Sequence, residues 1–445
     1  MNKLYASWPA IEIAIALVAT LTVQPSAGAG AAAQPRVGVP EVAALEPELE
    51  ALYRDLHQHP ELGFQETRTS AELARRVRAL GYEVTTGIAK TGLVAILRNG
   101  PGPTVMLRTE LDALPIEEKT GLPFASTATA VNARGASVHV AHACGHDLHM
   151  TAWYGTAKLM AQRRSRWHGT LMLVGQPAEE LGDGAAAMLA DGLFTRFPKP
   201  NFALGVHDEE TLPAGLVGYH AGYFRANVDT VEITIYGRGG HGARPQSTVD
   251  PIVIAARAIL GIQTIVSRET DPLSPAVVSI GSIHGGTAAN IIPDQVQMLI
   301  TVRSYDEKVR AHILAALKRE VEGEAAAADA PKPPVLKVLD GSDAVYNDPA
   351  LTTRVVAALH RELGPDSAHE MPQQMTSEDF SQYGRAGVPA VLLHIGAVDP
   401  QALASGQTLP GVHSPYWAPE IEPTLRSMVA AEVVMLTELF TPPRR

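Results

Sequence analysis

Apolar and polar positions alternate along the chain in a way that predicts two regions of different architecture. In the first region, apolar residues recur at helical spacing in three segments: residues 41–57, 69–80 and 149–164. Strands are predicted between them at residues 82–86, 93–97, 104–107 and 169–174. This alternation predicts an α/β layer with a mixed sheet, whose functional side chains gather at strand ends.

From about residue 226 the pattern changes. Strands are predicted at residues 228–236, 276–283, 295–304 and 335–339, and helices at residues 250–267 and 306–324. This βαββαβ order is typical of the ferredoxin-like α+β fold. We therefore expect an insertion at residues 226–340 within a catalytic domain that is formed by residues 39–222 and 341–440.

The N-terminus has features of an export signal. Lys3 precedes a mostly apolar stretch at residues 13–23, and Ala27-Gly28-Ala29 offers small residues for cleavage. We predict a signal peptide over residues 1–33 and, with it, a periplasmic or secreted bacterial protein. A short membrane anchor or a cytosolic N-terminus is the alternative, because Glu12 is unusual in such a signal.

Composition narrows the range of partners. With 445 residues, of which 46% are hydrophobic, the chain can build two domains with cores of their own. Its net charge of -11 disfavours nucleic acid or an anionic membrane surface as a partner, because both attract basic patches. No run of 18 apolar residues occurs in the body of the chain, so no membrane span is expected there.

The only cysteine of the chain lies in the run His142-Ala143-Cys144-Gly145-His146-Asp147-Leu148-His149. Thiolate and imidazole together suit zinc and neighbouring transition metals. Cys144 and His146 are two residues apart, so both side chains can point to one side of an extended segment. The alternative is a buried free cysteine among surface histidines, but the density of ligand-type residues favours a metal site.

Two adjacent glutamates follow a predicted buried strand. Residues 171–177 form an apolar run bounded by Gly and Pro, and Glu179 and Glu180 come directly after it. At such a strand end, one carboxylate can bind a metal while the other takes a proton from an activated water. A solvated charged pair is the alternative, although the Gly-rich residues 182–184 favour an active-site rim.

Seven segments resemble, in order, the co-catalytic metallopeptidase and amidohydrolase family, which includes aminoacylases, glutamate-releasing carboxypeptidases, hippurate hydrolases and plant indole-acetyl-amino-acid hydrolases. They are LHQHPELGF at 56–64, LRTELDALP at 107–115, HACGHDLH at 142–149, QPAEE at 176–180, GGHGA at 239–243, TSEDF at 376–380 and VHSP at 412–415. The hippurate and auxin-conjugate hydrolases are the most similar branch. Any one segment is weak, but seven in this order are highly specific.

The resemblance implies a two-metal site. Its metal ligands would be Cys144, His146, Glu180, His207 and His413, and Glu179 would be the general base. The ligands fit two divalent ions bridged by the thiolate, with zinc as the expected metal and manganese, cobalt or nickel as alternatives. For His207 and His413 the alternative is a surface or core histidine, which is the default in a chain with 16 histidines.

The chain departs from the family pattern at three places, one of which is a longer Ala/Ser/Thr-rich stretch between Phe124 and His139. Glu110 stands where the family usually has Asp, which leaves its role open, whereas Asp112 is retained and is expected to orient a histidine ligand. Residues 208–211 (Asp-Glu-Glu-Thr) are acidic where the family usually has an apolar or aromatic residue. We expect this segment to reshape the mouth of the pocket.

The resemblance also makes the insertion a lid and dimerisation domain of a homodimer. It implies that His241, supplied by the other subunit, stabilises the oxyanion. Asn290 and Arg303 are candidates for binding the substrate carboxylate, a bidentate task that suits arginine. The alternatives are a plain turn histidine, a structural loop asparagine and a surface arginine.

Together these assignments predict a metal-dependent amidohydrolase that cleaves N-acyl amino acids into a carboxylic acid and a free amino acid. Its partners would be the small N-acyl amino acid or a short peptide, and a second copy of the chain. A dipeptidase or carboxypeptidase with the same chemistry is the first alternative. A non-catalytic binding protein is disfavoured by Glu179, and inhibition by chelators would exclude a thiol enzyme with Cys144 as its nucleophile.

Overall fold

The computed structural model describes residues 39–441. The predicted signal peptide at residues 1–33 lies outside the described residues, and so does the prediction of export that depends on it.

The described residues contain twelve helices and eighteen strands. The helices are α1 (Pro40–Ala43), α2 (Glu46–Gln58), α3 (Thr67–Ala79), α4 (His146–Gln162), α5 (Gly184–Ala190), α6 (Leu193–Arg196), α7 (Pro251–Thr264), α8 (Glu307–Ala327), α9 (Pro349–Leu363), α10 (Ser381–Arg385), α11 (Pro400–Ala404) and α12 (Ile421–Phe440). The strands are β1 (Glu83–Ile88), β2 (Gly92–Asn99), β3 (Thr104–Glu110), β4 (Thr129–Val131), β5 (Ser137–His139), β6 (Gly169–Gln176), β7 (Phe202–Pro213), β8 (Val217–Tyr219), β9 (Gly222–Arg225), β10 (Asn227–Tyr236), β11 (Gly240–His241), β12 (Ala276–His284), β13 (Ile291–Ile292), β14 (Gln295–Ser304), β15 (Val335–Ser342), β16 (Val345–Asn347), β17 (Ala368–Glu370) and β18 (Ala390–Val398).

Eight strands form one mixed sheet in the order β1-β2-β6-β3-β7-β18-β8-β17. Its centre is parallel, since β3 pairs with β6 and β7, and β7 pairs with β18. Alternate residues of these strands enter two separate cores, one shared with α2, α4, α9 and α12 and the other with α5, α6 and α10. Helices therefore cover both faces, which explains why the central strands are apolar throughout. The predicted mixed α/β fold is confirmed.

A second sheet of four antiparallel strands, in the order β12-β14-β10-β15, is built from residues 227–342. Helices α7 and α8 cover one face of it around a core of its own. Along the chain the elements follow the βαββαβ order that was predicted for this region.

Helix α7 continues into a π-helical turn at Ile265–Glu269. Together they form the segment Pro251–Glu269, which has the length and apolar composition of a membrane-spanning helix. Its inward residues Ile254, Ala255, Ala258 and Ile262 are buried in the core of the second sheet. Packing against that sheet accounts for the apolar residues of its inner face, while Ile252, Val253 and Leu260 are exposed.

The chain leaves the first sheet and returns to it through two adjacent strands. Strand β9 pairs antiparallel with β16, and the second sheet lies between them in the sequence. After the return, β18 is added between β7 and β8. The second sheet is thus an insertion into the first, while the assignment of residues 226–340 as a lid or dimerisation domain stays a prediction.

Two predicted helices begin or end differently in the structure. The helix predicted over residues 41–57 is divided into α1 and α2 by a turn at Ala44 and Leu45. Pro47 explains the division, because its ring lacks an N–H and suits the first turn of a new helix. The helix predicted from residue 149 already begins at His146, which places a predicted metal ligand in its first turn.

Candidate metal centre

The loops and strand ends of the first sheet bring the five predicted ligands together. Cys144 precedes α4, His146 begins it, Glu180 follows β6, His207 lies on β7, and His413 lies in the loop before α12. They form two groups, Cys144–His146–His207 and Cys144–Glu180–His413, and within each group the ligand atoms lie within 4.8 Å of one another. Cys144 belongs to both groups.

The two groups meet at the sulfur of Cys144. Its Sγ lies 3.6 Å from Nε2 of His207 and 3.3 Å from Nε2 of His413. Nε2 of His413 in turn lies 3.4 Å from Oε2 of Glu180. This arrangement fits two ions that share one thiolate.

Two buried atoms of the predicted ligands have no protein partner. Within residues 39–441, Nε2 of His146 and Oε1 of Glu180 are shielded from solvent and make no hydrogen bond. Buried polar atoms are normally hydrogen-bonded, so each such atom needs an explanation. An imidazole nitrogen and a carboxylate oxygen are both ligands for zinc, and the residues present therefore fit a divalent metal.

Gly145 allows the two ligands beside it to converge. Its backbone is left-handed, with φ 71°, and a Cβ at this position would overlap the carboxylate of Asp208. Only glycine satisfies both conditions. The Cys-Gly-His sequence is thus required by the space around the centre as well as by the turn.

Backbone carbonyl groups orient two of the histidine ligands. Nδ1 of His146 donates to the carbonyl oxygen of Asp112 at 2.8 Å, and Nδ1 of His207 donates to that of Asp208 at 2.7 Å. Each bond fixes the tautomer whose Nε2 carries the lone pair. The orienting role expected of Asp112 is thus carried by its backbone oxygen.

The carboxylate of Asp112 holds the loop that carries both glutamates. It accepts the backbone N–H groups of Glu179 at 3.1 Å and Glu180 at 3.0 Å, while Glu66 accepts that of Ala178 at 2.8 Å. Two buried carboxylates therefore bind three consecutive amides, and Ala178 adopts a strained φ of 51°. Glu66 was missed in the sequence, although it lies only two residues beyond the first of the seven segments.

We expect the substitution Glu66→Gln to make stability less dependent on pH. Burial raises the pKa of the Glu66 carboxyl from 4.5 to about 7. This pKa is higher in the folded protein than in the unfolded chain, so the folded state holds the proton more tightly. The resulting contribution to the free energy of unfolding is complete below pH 4.5 and is lost as the pH rises through 7. Glutamine keeps an acceptor but has no charge to bury, so the variant should gain about 3 kcal/mol relative to the wild type between pH 5 and pH 8.

Urea denaturation at several pH values measures this difference, with Glu83→Gln as the control at an exposed glutamate. If the free energies of unfolding of the wild type and the Glu66→Gln protein differed by the same amount at every pH, Glu66 would titrate equally in the folded and unfolded states. That result would contradict the prediction.

Glu179 lies between the ligands and a group of buried acids. Its Oε2 is 3.8 Å from Nε2 of His146. Burial first, and then the negative charge of Glu378, raise the pKa of the Glu179 carboxyl well above its ordinary value. Bound divalent ions would lower it again. A raised pKa makes a carboxylate a stronger proton acceptor, which is the property required of a general base.

Arg108 is a buried cation shared by three carboxylates. It donates to Glu110, to Glu378 at 2.8 Å and to Asp379 at 2.9 Å. Glu110 also accepts from Nδ1 of His149 at 3.1 Å. Burial alone would lower the pKa of His149, but the neighbouring carboxylates raise it to about 9. Glu110, whose role the sequence left open, therefore links Arg108 to a histidine beside the ligands.

The acidic residues 208–210 are engaged in the wall of the cavity. Asp208 accepts from Nε1 of Trp417 at 3.2 Å, and Glu210 accepts the backbone N–H of Val412, next to His413, at 2.6 Å. Glu209 is buried and lies 2.7 Å from Nδ1 of His394. These carboxylates thus support other residues of the site from within.

The structure separates the three site residues that were predicted in the insertion: Arg303 lies at the cavity, and His241 and Asn290 lie outside it. Arg303 lines a cavity of about 850 Å³ that also contains Cys144, Glu179 and His413. His241 and Asn290 are exposed neighbours, because the N–H of the residue after His241 donates to the Asn290 carbonyl at 2.8 Å. Neither of them lines the cavity, so within one copy of the chain they are not brought to the ligands.

A mixed α/β sheet with a candidate two-ion centre and an adjacent carboxylate defines a metal-dependent hydrolase. Residues 106–416 match the Peptidase family M20/M25/M40. The chain belongs to this family, whose members act on amide and peptide bonds. The resemblance inferred from the seven segments is confirmed.

Individual relatives agree with this membership. The N-acetylcysteine deacetylase of Bacillus subtilis (strain 168) is 36% identical over 345 residues, which cover 77% of this chain and 86% of the relative. The hippurate hydrolase of Campylobacter jejuni subsp. jejuni is 39% identical over 273 residues, which cover 61% of this chain and 68% of the relative. The crystal structure of Bacillus subtilis YXEP protein, a dinuclear metal binding peptidase, matches with a TM-score of 0.73 and 31% identity over 90% of this chain and 100% of its own.

Proposed function

We propose that this protein is a metal-dependent amidohydrolase that cleaves N-acyl amino acids into a carboxylic acid and a free amino acid. The observation that carries the proposal is the pair of three-ligand groups that share Cys144, with Glu179 at their edge. The printed names of two relatives support the substrate class, because N-acetylcysteine and hippurate are both N-acyl amino acids.

Two divalent ions, zinc in this proposal, would be held by Cys144, His146, Glu180, His207 and His413, where they would polarise the amide carbonyl and acidify the attacking water. Glu179 accepts a proton from that water as the water oxygen bonds to the acyl carbon, and it returns the proton to the leaving nitrogen as the C–N bond breaks. Asp112 and Glu66 keep this carboxylate in place through the backbone of its loop. Arg303, on the cavity wall, binds the carboxylate of the substrate.

The inserted sheet acts, in this proposal, as a lid through which two copies of the chain associate. Support comes from His241 and Asn290, which are exposed and do not line their own cavity, so they are free to enter that of a second copy. There His241 would stabilise the oxyanion and Asn290 would bind the substrate carboxylate. A fully active monomer in sedimentation analysis at assay concentration would contradict this arrangement.

Export is a further part of the proposal and depends on residues 1–33 alone. Mass spectrometry of the mature N-terminus tests it, since an uncleaved chain in the cytosol would contradict a signal peptide.

The activity is tested on protein stripped with a chelator and then reconstituted with zinc. The substrates are N-acetyl, N-benzoyl and aryl-acetyl amino acids, with unblocked dipeptides beside them. We expect release of amino acid from the acyl substrates, abolished by the chelator and restored by zinc. Cleavage of dipeptides alone would make the protein a dipeptidase. Activity that survives chelation, with an acyl group attached to Cys144, would make it a thiol enzyme.

A further inference from the structure

A second arginine lines the cavity together with Arg303. Arg225 is the last residue of β9, where the chain enters the inserted sheet, and it is only 7% exposed. None of the seven segments contains it. A guanidinium in such a place needs partners, because an uncompensated buried charge is costly.

A chain of buried hydrogen bonds holds one edge of the Arg225 guanidinium. Its Nε donates to Nε2 of His394 at 3.2 Å, and Nδ1 of His394 lies 2.7 Å from Oε2 of Glu209. Since arginine can only donate, Nε2 of His394 must accept, and its Nδ1 therefore carries the proton that Glu209 accepts. The amide of Gln374 also donates to Glu209, at 2.7 Å. The acidic segment that departs from the family pattern thus supports an arginine.

The other donors of Arg225 are poorly occupied. Nη1 lies 3.4 Å from the carbonyl oxygen of Ser377 and 3.8 Å from Glu378, whose short bond is made to Arg108. Nη2 has no hydrogen bond to any of residues 39–441. A carboxylate satisfies two guanidinium donors at once, which makes it the ligand that best suits this group.

Arg303 supplies an independent positive charge on the same wall. Its Nη1 donates to the carbonyl oxygen of Met375 at 2.7 Å, and among the described residues no acidic side chain pairs with it. Met375 and Ser377 both belong to one segment that lines the cavity, so the two arginines are anchored two residues apart. Of the nearby carboxylates, Glu209 is engaged by His394 and Glu210 by Val412. Glu378 bonds Arg108 through Oε1, and its Oε2, 3.8 Å from Arg225, has no hydrogen bond within residues 39–441.

We propose that Arg225 is a second carboxylate anchor and that the preferred substrates are N-acyl derivatives of dicarboxylic amino acids, such as glutamate and aspartate. One carboxylate of the substrate binds Arg303 and the other binds Arg225. This inference rests on the proposed amidohydrolase function and specifies the substrate class of the same site.

N-acetylglutamate and N-acetylglutamine test the proposal, because they are nearly equal in size and differ by one negative charge. We expect the zinc-loaded wild type to favour N-acetylglutamate in kcat/KM by roughly 10- to 100-fold, as hydrogen bonds between charged groups contribute. Arg225→Met should bring this ratio close to one, whereas Arg225→Lys should keep part of it. Arg98→Met, at an exposed arginine outside the cavity, is the matched control and should keep the full ratio.

Calorimetric binding of both compounds to the zinc-loaded Glu179→Gln protein gives the same ratio without turnover. If Arg225 were only structural, Arg225→Met would weaken both compounds equally and the ratio would persist, which overturns the proposal. Equal kcat/KM for the two compounds in the wild type overturns it without any variant. If the protein hydrolyses only neutral N-acyl amino acids, the dicarboxylic substrate class is wrong and the proposed amidohydrolase function stands. If it hydrolyses no N-acyl amino acid, both the substrate class and the proposed function are wrong.

Discussion

Replacing Glu179 by glutamine is expected to lower kcat by roughly 100- to 10,000-fold, the range of general acid–base catalysis. Glutamine has nearly the same size and cannot accept the proton of the attacking water. The backbone of its loop is bound by Asp112 and Glu66 through main-chain N–H groups, which the substitution leaves in place. The fold and the metal content should therefore be unchanged.

Steady-state kinetics on an N-acyl amino acid, metal analysis and thermal unfolding together measure these effects. Asp340→Asn is the matched control, because Asp340 is a carboxylate that lines the same cavity but belongs to neither ligand group. A kcat within tenfold of the wild-type value would remove Glu179 from the role of base. Loss of metal in the variant would show instead that Glu179 is a ligand.

Cys144→Ala is expected to reduce the metal content from two ions per chain to one or none and to abolish hydrolysis. The reason is that Cys144 belongs to both ligand groups, so that its removal leaves each group with two members. His207→Ala and His413→Ala provide an internal comparison, because each affects one group only. Each of these two variants keeps one complete ligand group and should therefore bind one ion more firmly than the Cys144→Ala protein does.

Metal content is measured by elemental analysis after dialysis against zinc, with His139→Ala as a control outside both ligand groups. Two firmly bound ions in the Cys144→Ala protein would contradict a bridging thiolate. Loss of activity with both ions retained would favour Cys144 as a nucleophile.

The large sheet and the candidate ligands Cys144, His146 and Glu180 could be proposed from the sequence because their signals are local, whereas His207 and His413 depended on the resemblance. Buried parallel strands are apolar over their whole length, and Cys144, His146 and Glu180 lie in short segments dense with ligand-type residues. Apart from Asp112, the supports of the site could not be predicted, since their partners are distant in sequence. Glu66 binds an amide 112 positions further along, and Glu209 binds a histidine 185 positions away. In the sequence, nothing distinguishes Glu66 or Glu209 from a surface glutamate.

His241 and Asn290 show a different limit. Their segments indicate chemistry next to a substrate, yet the structure leaves both exposed and outside the cavity of their own chain. The resemblance implied that His241 acts from a second copy of the chain, and that role stays a prediction. That His241 and Asn290 lie away from the ligands of their own chain is visible only in the folded structure.

The place of β18 between β7 and β8 determines when the molecule can be completed during its synthesis. This central strand is translated only after the whole inserted sheet, and His413 follows later still. The inserted sheet can form from sequence neighbours while the chain is still on the ribosome, but β7 then lacks its partner on one side. The group Cys144–His146–His207 is translated before the inserted sheet, whereas the group that contains His413 is complete only after it, so we expect the site of the second ion to be completed last.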